Sequence, residues 1–323
     1  MIDRLSATVA LALALSATTH AQYPAKPIQL IVPFPAGSDA DLSARNLSQH
    51  APKYFDSQSI VVVNRAGASG VIGTVSVQNA AADGYTLLLA RIASHAIQPA
   101  IDPKTPYRWS DFTPLSTLET NPYICAVRAD SPYRTMNDLV ADMRKNPGKL
   151  NFSTAGAGTL QNFGPQYLFT LAGLPKDAAV GIHYKGSGDL VASLLGGQVQ
   201  FACNNLGTLL PHVQAAKARA LMTTTREALP QLPQVPTARE LGWPAMEGMA
   251  AWSALLGPRG MPQPVVDRWA DALSRLAKDR DWIAGNEKIG GVPAVRSPQE
   301  TARFLEQQFE LFEGLANRLG IKE

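Results

Sequence analysis

The stretch "PIQLIVPFPAGSDADLSARNLSQHA", Pro27 to Ala51, decides the fold class. It runs from an apolar, β-rich segment into a loop punctuated by Pro33, Pro35 and Gly37, then into a helix-compatible segment. The same succession follows "SIVVVN" and "YTLLLA", and again "LNFSTAG", "GIHYKGS" and "VQFACNN". Strand, turn and helix in alternation read as βαβ units, and two groups of them fit two α/β lobes, each with a parallel or mixed sheet, better than one long sheet. "TNPYICAVRADSPY" between the groups and "EGMAAWSALLGPRG" after the second are expected to be crossing strands, and two crossings imply a hinge. The expected division is 22–120 with 256–323 for the first lobe and 121–255 for the second. "PQPVVDRWADALSRLAKDRDWIAG" and "SPQETARFLEQQFELFEGLANRLG" carry helical spacing and are expected to cover the first lobe. The prolines of "LPQLPQVPTARELGWP" exclude a regular element over most of that piece.

Residues 1–21 set the compartment. Arg4 precedes an apolar stretch, Leu5–Ala17, that is too short to span a bilayer, and Thr19-His20-Ala21 stands ahead of Gln22. This is the pattern of a secretory signal peptide, so the mature chain is expected outside the cytoplasm. With 29 basic against 26 acidic side chains and no Lys/Arg run, neither a nucleic-acid groove nor a membrane-surface patch is indicated. Small solutes remain as partners. Cys125 and Cys203 each lie inside an apolar run; an exported chain could bridge them, but their placement favours two separate buried thiols.

Most catalytic chemistry finds no support. No serine has glycine at both minus two and plus two, so the nucleophile elbow is absent. His50, His95, His183 and His212 are scattered and no C-x-x-C exists, so no metal or cofactor is expected. "GASGVIG", Gly67–Gly73, lacks the tight first turn of a dinucleotide loop. What these loops share is small residues where a strand hands over to a helix, leaving unpaired N–H groups and the positive helix end facing outward. That arrangement binds anions.

The motifs "YPAKPIQLIVPFPAGSDAD", "VVVNRAGASGVIGT", "AADGYTLLL", "NPGKLNFSTAGAGT" and "YKGSGDLVASLLGGQVQF", with the closing helices, run in order over nearly the whole mature chain. They resemble the tripartite tricarboxylate transporter substrate-binding proteins, the Bug family of Gram-negative bacteria. The resemblance implies a two-lobed periplasmic "Venus flytrap", type II-like and monomeric, without catalysis or cofactor, that delivers a small carboxylate to membrane permease subunits. It also implies two strand-to-helix loops, one per lobe, that hold a carboxylate. Carried onto this chain, the first is Pro35–Asp41, with Gly37 and Ser38 approaching the anion and Asp41 beginning the helix. The second is Ser153–Thr159, where Thr154 and Thr159 add hydroxyls and Ala155, Ala157 and Gly158 keep the backbone accessible.

Three positions depart from the family pattern. Ser38 stands where a second glycine is usual. Asn204 stands where an acid is common, which argues against an amino-acid ligand, or it merely ends a strand. Arg91, directly after an apolar strand, stands where a small polar residue is more usual; it either offers a second fixed cation to the ligand or makes an ion pair with Asp41 or Glu119. Ser94 could add a hydrogen bond, and Phe34, Phe163 and Tyr123 could pack an aromatic body. The expected ligand is a dicarboxylate, an aromatic one such as terephthalate first and an aliphatic di- or tricarboxylate next. The alternatives are a secreted enzyme on the same two lobes and a receptor subunit that reports to a sensor.

Overall fold

The computed structural model describes residues 23–156 and 158–322. The expected signal peptide and Ala157 lie outside them. Three apolar runs become parallel strands: β1 (Ile28–Val32), β2 (Ile60–Asn64) and β3 (Thr86–Arg91), with β1 in the middle. β1 and β3 are nearly uninterrupted apolar sequence because helices cover both their faces. β4 (Phe112–Asn121) completes the outward path, and the chain then crosses into a second sheet through β5 (Tyr123–Arg128). There β6 (Leu150–Thr154) runs parallel to β7 (Ala179–His183) and β8 (Phe201–Asn205), while β5 lies antiparallel between β8 and β9 (Ala218–Thr223). The chain returns through β10 (Ala251–Pro258), fully buried and antiparallel between β3 and β4, and β11 (Val292–Pro293) edges β4.

The sheet orders are β11-β4-β10-β3-β1-β2 and β7-β6-β8-β5-β9. Each sheet therefore has three parallel strands, one antiparallel strand delivered from the other half, and the half's own last long strand beyond it. This is the two-lobed periplasmic-binding-protein architecture, in its strand-exchanging form. The return comes earlier than residue 256, because Ala251 already pairs with Asn121 in the first sheet.

The helices start where capping chemistry allows. α1 (Asp39–His50) begins after Ser38, whose hydroxyl accepts from the Asp41 N–H. α2 (Val71–Gln78) and the short α3 (Gln98–Ile101), entered through a π-turn Ala93–Ile97, complete the N-terminal half. α4 (Met136–Lys145), α5 (Leu160–Leu171), α6 (Ser187–Leu195) and α7 (Leu206–Gln214) flank the second sheet. The first closing segment is two helices rather than one: α8 (Gln263–Leu276) ends and Asp279 caps α9 (Arg280–Lys288), accepting from Asp281 and Trp282 N–H. α10 (Pro298–Leu319) opens on a Ser297–Glu300 capping box and stops at Gly320, φ +70°.

α8 buries Trp269 against Phe55 in the first lobe, as expected. α10 does more than cover that lobe. Its Phe312 packs edge-on against Phe163 of α5 in the second half, ring centroids 5.4 Å apart, and its Gln308 accepts from Trp252 Nε1 at 3.0 Å. No described helix is long and apolar enough to cross a membrane.

Cys125 and Cys203 form a disulfide, which corrects the reading of two separate thiols. β5 arrives from the other half beside β8, and the antiparallel register sets the two cysteines directly opposite, Cα atoms 4.0 Å apart. Alkylation of unfolded, unreduced protein is expected to label no thiol. Replacing both cysteines by serine is expected to cost about 2–5 kcal/mol in urea unfolding; two labelled thiols, or unchanged stability, would contradict the bridge.

Candidate functional site

The C-terminal ends of the parallel strands in both halves converge on one cavity of ≈ 430 Å³. Phe34, Gly37, Ser38, Asp39 and Ala40 border it from the first half, with Arg91 and the turn behind it. Thr159, Leu160, Gln161, Ser187 and Asn205 border it from the second. The first turns of α1, α5, α6 and α7 therefore all reach one space, and the positive ends of their dipoles favour an anion there.

The first loop is braced from within. Gly37 has φ +79°, a conformation that suits glycine, and its N–H donates to Asp41 Oδ2 at 2.9 Å. Asp41 also accepts from Arg45 Nε at 2.8 Å and Asn64 Nδ2 at 2.9 Å. Burial alone would push the Asp41 carboxyl up, but the bonds from Arg45, Gly37 and Asn64 outweigh it and hold the group below the usual range. Asp41 thus shapes the loop and does not border the cavity. The Ser38 N–H donates to Pro35 O and the Ser38 hydroxyl both donates to Pro35 O and caps Asp41.

This bracing moves the open donors one step along the chain. Asp41 and Leu42 N–H are bonded to Ser38, so the first-turn amides of α1 without an acceptor among the described residues are Asp39 and Ala40. In α5, Asn162 and Phe163 N–H reach Thr159 O, which leaves Leu160 and Gln161 N–H without an acceptor among the described residues. Both pairs border the cavity. Gly37 and Ser38 remain wall residues, but their amides are already used. Thr159 borders the cavity while its hydroxyl donates to Gly156 O at 2.7 Å, and Thr154 Oγ1 accepts from Gly156 N–H at 3.2 Å. Thr154, Ala155 and Gly158 are not among the lining residues.

Arg91 is at the cavity wall and makes the ion pair, while lining the same space that a ligand would enter. Its Nη1 donates to Ser253 Oγ at 2.6 Å and lies 3.4 Å from Glu119 Oε1, so the partner acid is Glu119 and not Asp41. Nε and Nη2 carry no hydrogen bond to a described residue. Glu119 also accepts from Ser43 Oγ at 2.8 Å, while its Oε2 has no described partner. Burial pushes its carboxyl above the usual range, against the pull of Arg91 and of hydrogen bonds from Ser253 and Ser43.

The other candidates stand behind the wall. Ser94 is fully buried and bonds Arg91 N–H, Arg91 O and His95 Nδ1. Tyr123 and Phe163 are fully buried core residues, Tyr123 donating to Leu160 O, so of the three aromatics only Phe34 borders the cavity. Asn204 is buried and accepts from Gln161 Nε2 and Asn205 N–H, both at 2.8 Å; its neighbour Asn205 is the one that reaches the cavity. Alternation along β8 points successive side chains to opposite faces, but α7 starts at this strand's end, and the exit, not the alternation, turns Asn205 inward.

His95, beneath Ser94, carries a pH dependence. Burial holds its imidazole down at about 3, against about 6.5 for the unfolded chain. Between those values only the unfolded state binds the proton, so stability is lost as pH falls. From pH 7 to 4.5, urea unfolding of wild type is expected to lose about 2 kcal/mol more than His95→Gln. Glu119 moves the opposite way in both proteins, so the difference between them is the readout. Equal losses would contradict a neutral buried His95.

Residues 44–321 match the tripartite tricarboxylate transporter family receptor. The chain belongs to this receptor family. Protein BugT of Bordetella pertussis is 32% identical to the receptor over 98% of this chain and 95% of its own. Two solved structures share the fold over nearly their whole length. Rpa4515 of R. palustris, solved with adipate, has 28% identity and a TM-score of 0.79, covering 93% of the receptor and 99% of its own chain. MatC of Rhodopseudomonas palustris, solved with malate, has 28% identity and a TM-score of 0.75, covering 91% and 99%.

Proposed function

We propose that this receptor captures a small dicarboxylate between its two halves in the periplasm and presents it to the family's membrane permease. The observation that carries the reading is the pairing of open first-turn amides, Asp39 and Ala40 from one half with Leu160 and Gln161 from the other, around one cavity. One carboxylate is met by amides at helix N-termini. A second is met by the free edge of the Arg91 guanidinium, which binds a carboxylate in a fixed fork. The adipate and malate held by the two relatives are both dicarboxylates. Phe34 with Ile92, Ile97 and Leu160 gives the cavity an apolar wall, which suits the body of terephthalate as well as an aliphatic chain.

Calorimetric titration with terephthalate, adipate, malate and benzoate tests the proposal. At least one dicarboxylate is expected to bind more tightly than benzoate and to be recovered chemically unchanged. Tighter binding of benzoate than of every dicarboxylate would overturn it, as would catalytic conversion of the bound compound.

A further inference from the structure

The cavity that collects helix N-termini and Arg91 also contains a carboxylate of its own. Asp39, the first residue of α1, accepts across the cavity from Asn205 Nδ2 at 3.3 Å. Asp39 belongs to the first half and Asn205 to the second, so this bond spans the two walls. A carboxylate only accepts, which fixes the orientation of the Asn205 amide: Nδ2 faces Asp39 and Oδ1 faces away from it. Asn205 is 8% exposed, and its Oδ1 has no hydrogen-bond partner among the described residues. A buried amide oxygen left without a donor is costly, and Asp39 has capacity for further donors.

We propose that Asp39 and Asn205 together read a hydrogen-bond donor on the ligand, a hydroxyl or an amino group carried beside its carboxylates. The proposal rests on the carboxylate reading of the cavity and adds the ligand's second functional class. A bare dicarboxylate brings only acceptors: it leaves Asn205 Oδ1 unpaired and sets a like charge near Asp39. A hydroxyl on the same skeleton gives its proton to one of these oxygens and can accept from Asn205 Nδ2. Sites built to bond a substrate hydroxyl discriminate strongly against the analogue that lacks it, because their buried polar groups are then left unpaired.

Matched sets on one skeleton test this: succinate with L-malate and L-aspartate, and terephthalate with 2-hydroxy- and 2-aminoterephthalate. In calorimetry on the full receptor, the hydroxyl or amino member of whichever skeleton binds is expected to be at least roughly tenfold tighter than the parent. A gain confined to the hydroxyl or to the amino compound identifies the donor and supports the proposal. Asp39 is exposed, so Asp39→Ala is expected to keep the wild-type melting temperature. It should bind the parent dicarboxylate more tightly than wild type does while the preference shrinks to within roughly threefold. A merely structural role for Asp39 would not strengthen binding of the parent. Equal affinity within a set, or a tighter parent, would overturn this proposal alone. Failure of every carboxylate to bind would overturn it together with the reading on which it rests.

Discussion

Arg91→Ala is expected to lose dicarboxylate binding by on the order of 2–5 kcal/mol, and to destabilise the fold by about 3–5 kcal/mol as well. The two losses come from different atoms. Nη1 is committed to Ser253 and Glu119, and without it a fully buried carboxyl keeps only the hydroxyls of Ser43 and Ser253 as hydrogen-bond donors. Removing one member of a buried ion pair is far more damaging than replacing both, because the remaining charge is left uncompensated. The free edge of the guanidinium is what the proposed function assigns to the ligand. The double variant Arg91→Met, Glu119→Gln therefore separates the roles: it is expected to recover most of the stability in urea unfolding and none of the binding in calorimetry. Wild-type affinity for dicarboxylates in that double variant would contradict the assignment of Arg91 to the ligand.

The second large effect is expected at Gly207, on the first turn of α7 in the second half. A Cβ placed there would lie 2.6 Å from Ile289 O and 3.2 Å from Gly290 Cα, both backbone atoms of the segment that follows α9 in the first half. Backbone meets backbone between the halves, so no side chain can move aside. Alanine is the better helix former by up to about 1 kcal/mol, so Gly207→Ala costs the helix nothing. It instead wedges the halves apart. The expected result is an unimpaired melting temperature with affinity weaker by at least roughly tenfold, because the state in which both walls reach one ligand becomes a minor one. Small-angle scattering at ligand saturation should give a larger radius of gyration than for wild type. Wild-type affinity in this variant would mean that the contact does not govern closure.

The apolar strands of both halves were legible in the sequence because β1, β3, β6 and β8 are short runs bounded by turn residues. β4 was not. "FTPLSTLETN" reads as polar, yet Ser116, Thr117, Glu119 and Asn121 are all buried in it. Ser116 and Thr117 find partners far along the chain, Ser116 Oγ donating to Arg296 O and Thr117 N–H to Thr301 Oγ1, while Glu119 pairs with Arg91, 28 residues back. A hydropathy pattern cannot anticipate a strand whose burial is made possible by groups nearly two hundred residues away.

The loops that border the cavity were legible to within a residue or two. Small residues between β1 and α1, and between β6 and α5, marked loops that border the cavity. They did not reveal which amides remain open, because that depends on where each helix begins and which N–H groups the loop consumes itself. Ser38 as cap and Asp41 as brace shift the open pair to Asp39 and Ala40. Asn204 was singled out, whereas its neighbour Asn205 is the one that borders the cavity, for a related reason: the inward residue is chosen by where β8 ends. The Cys125–Cys203 bridge escaped too, since only the crossing of β5 brings the two runs together.

The central claim is that one ligand is held at once by helix N-termini from both halves. A crystal structure of the receptor with its tightest-binding dicarboxylate tests it most directly. One carboxylate is expected within roughly 2.7–3.2 Å of the Asp39 and Ala40 amide nitrogens, with the same molecule reaching the Leu160 or Gln161 amide. A ligand bound outside this cavity, or in contact with only one of the two halves, would contradict the account.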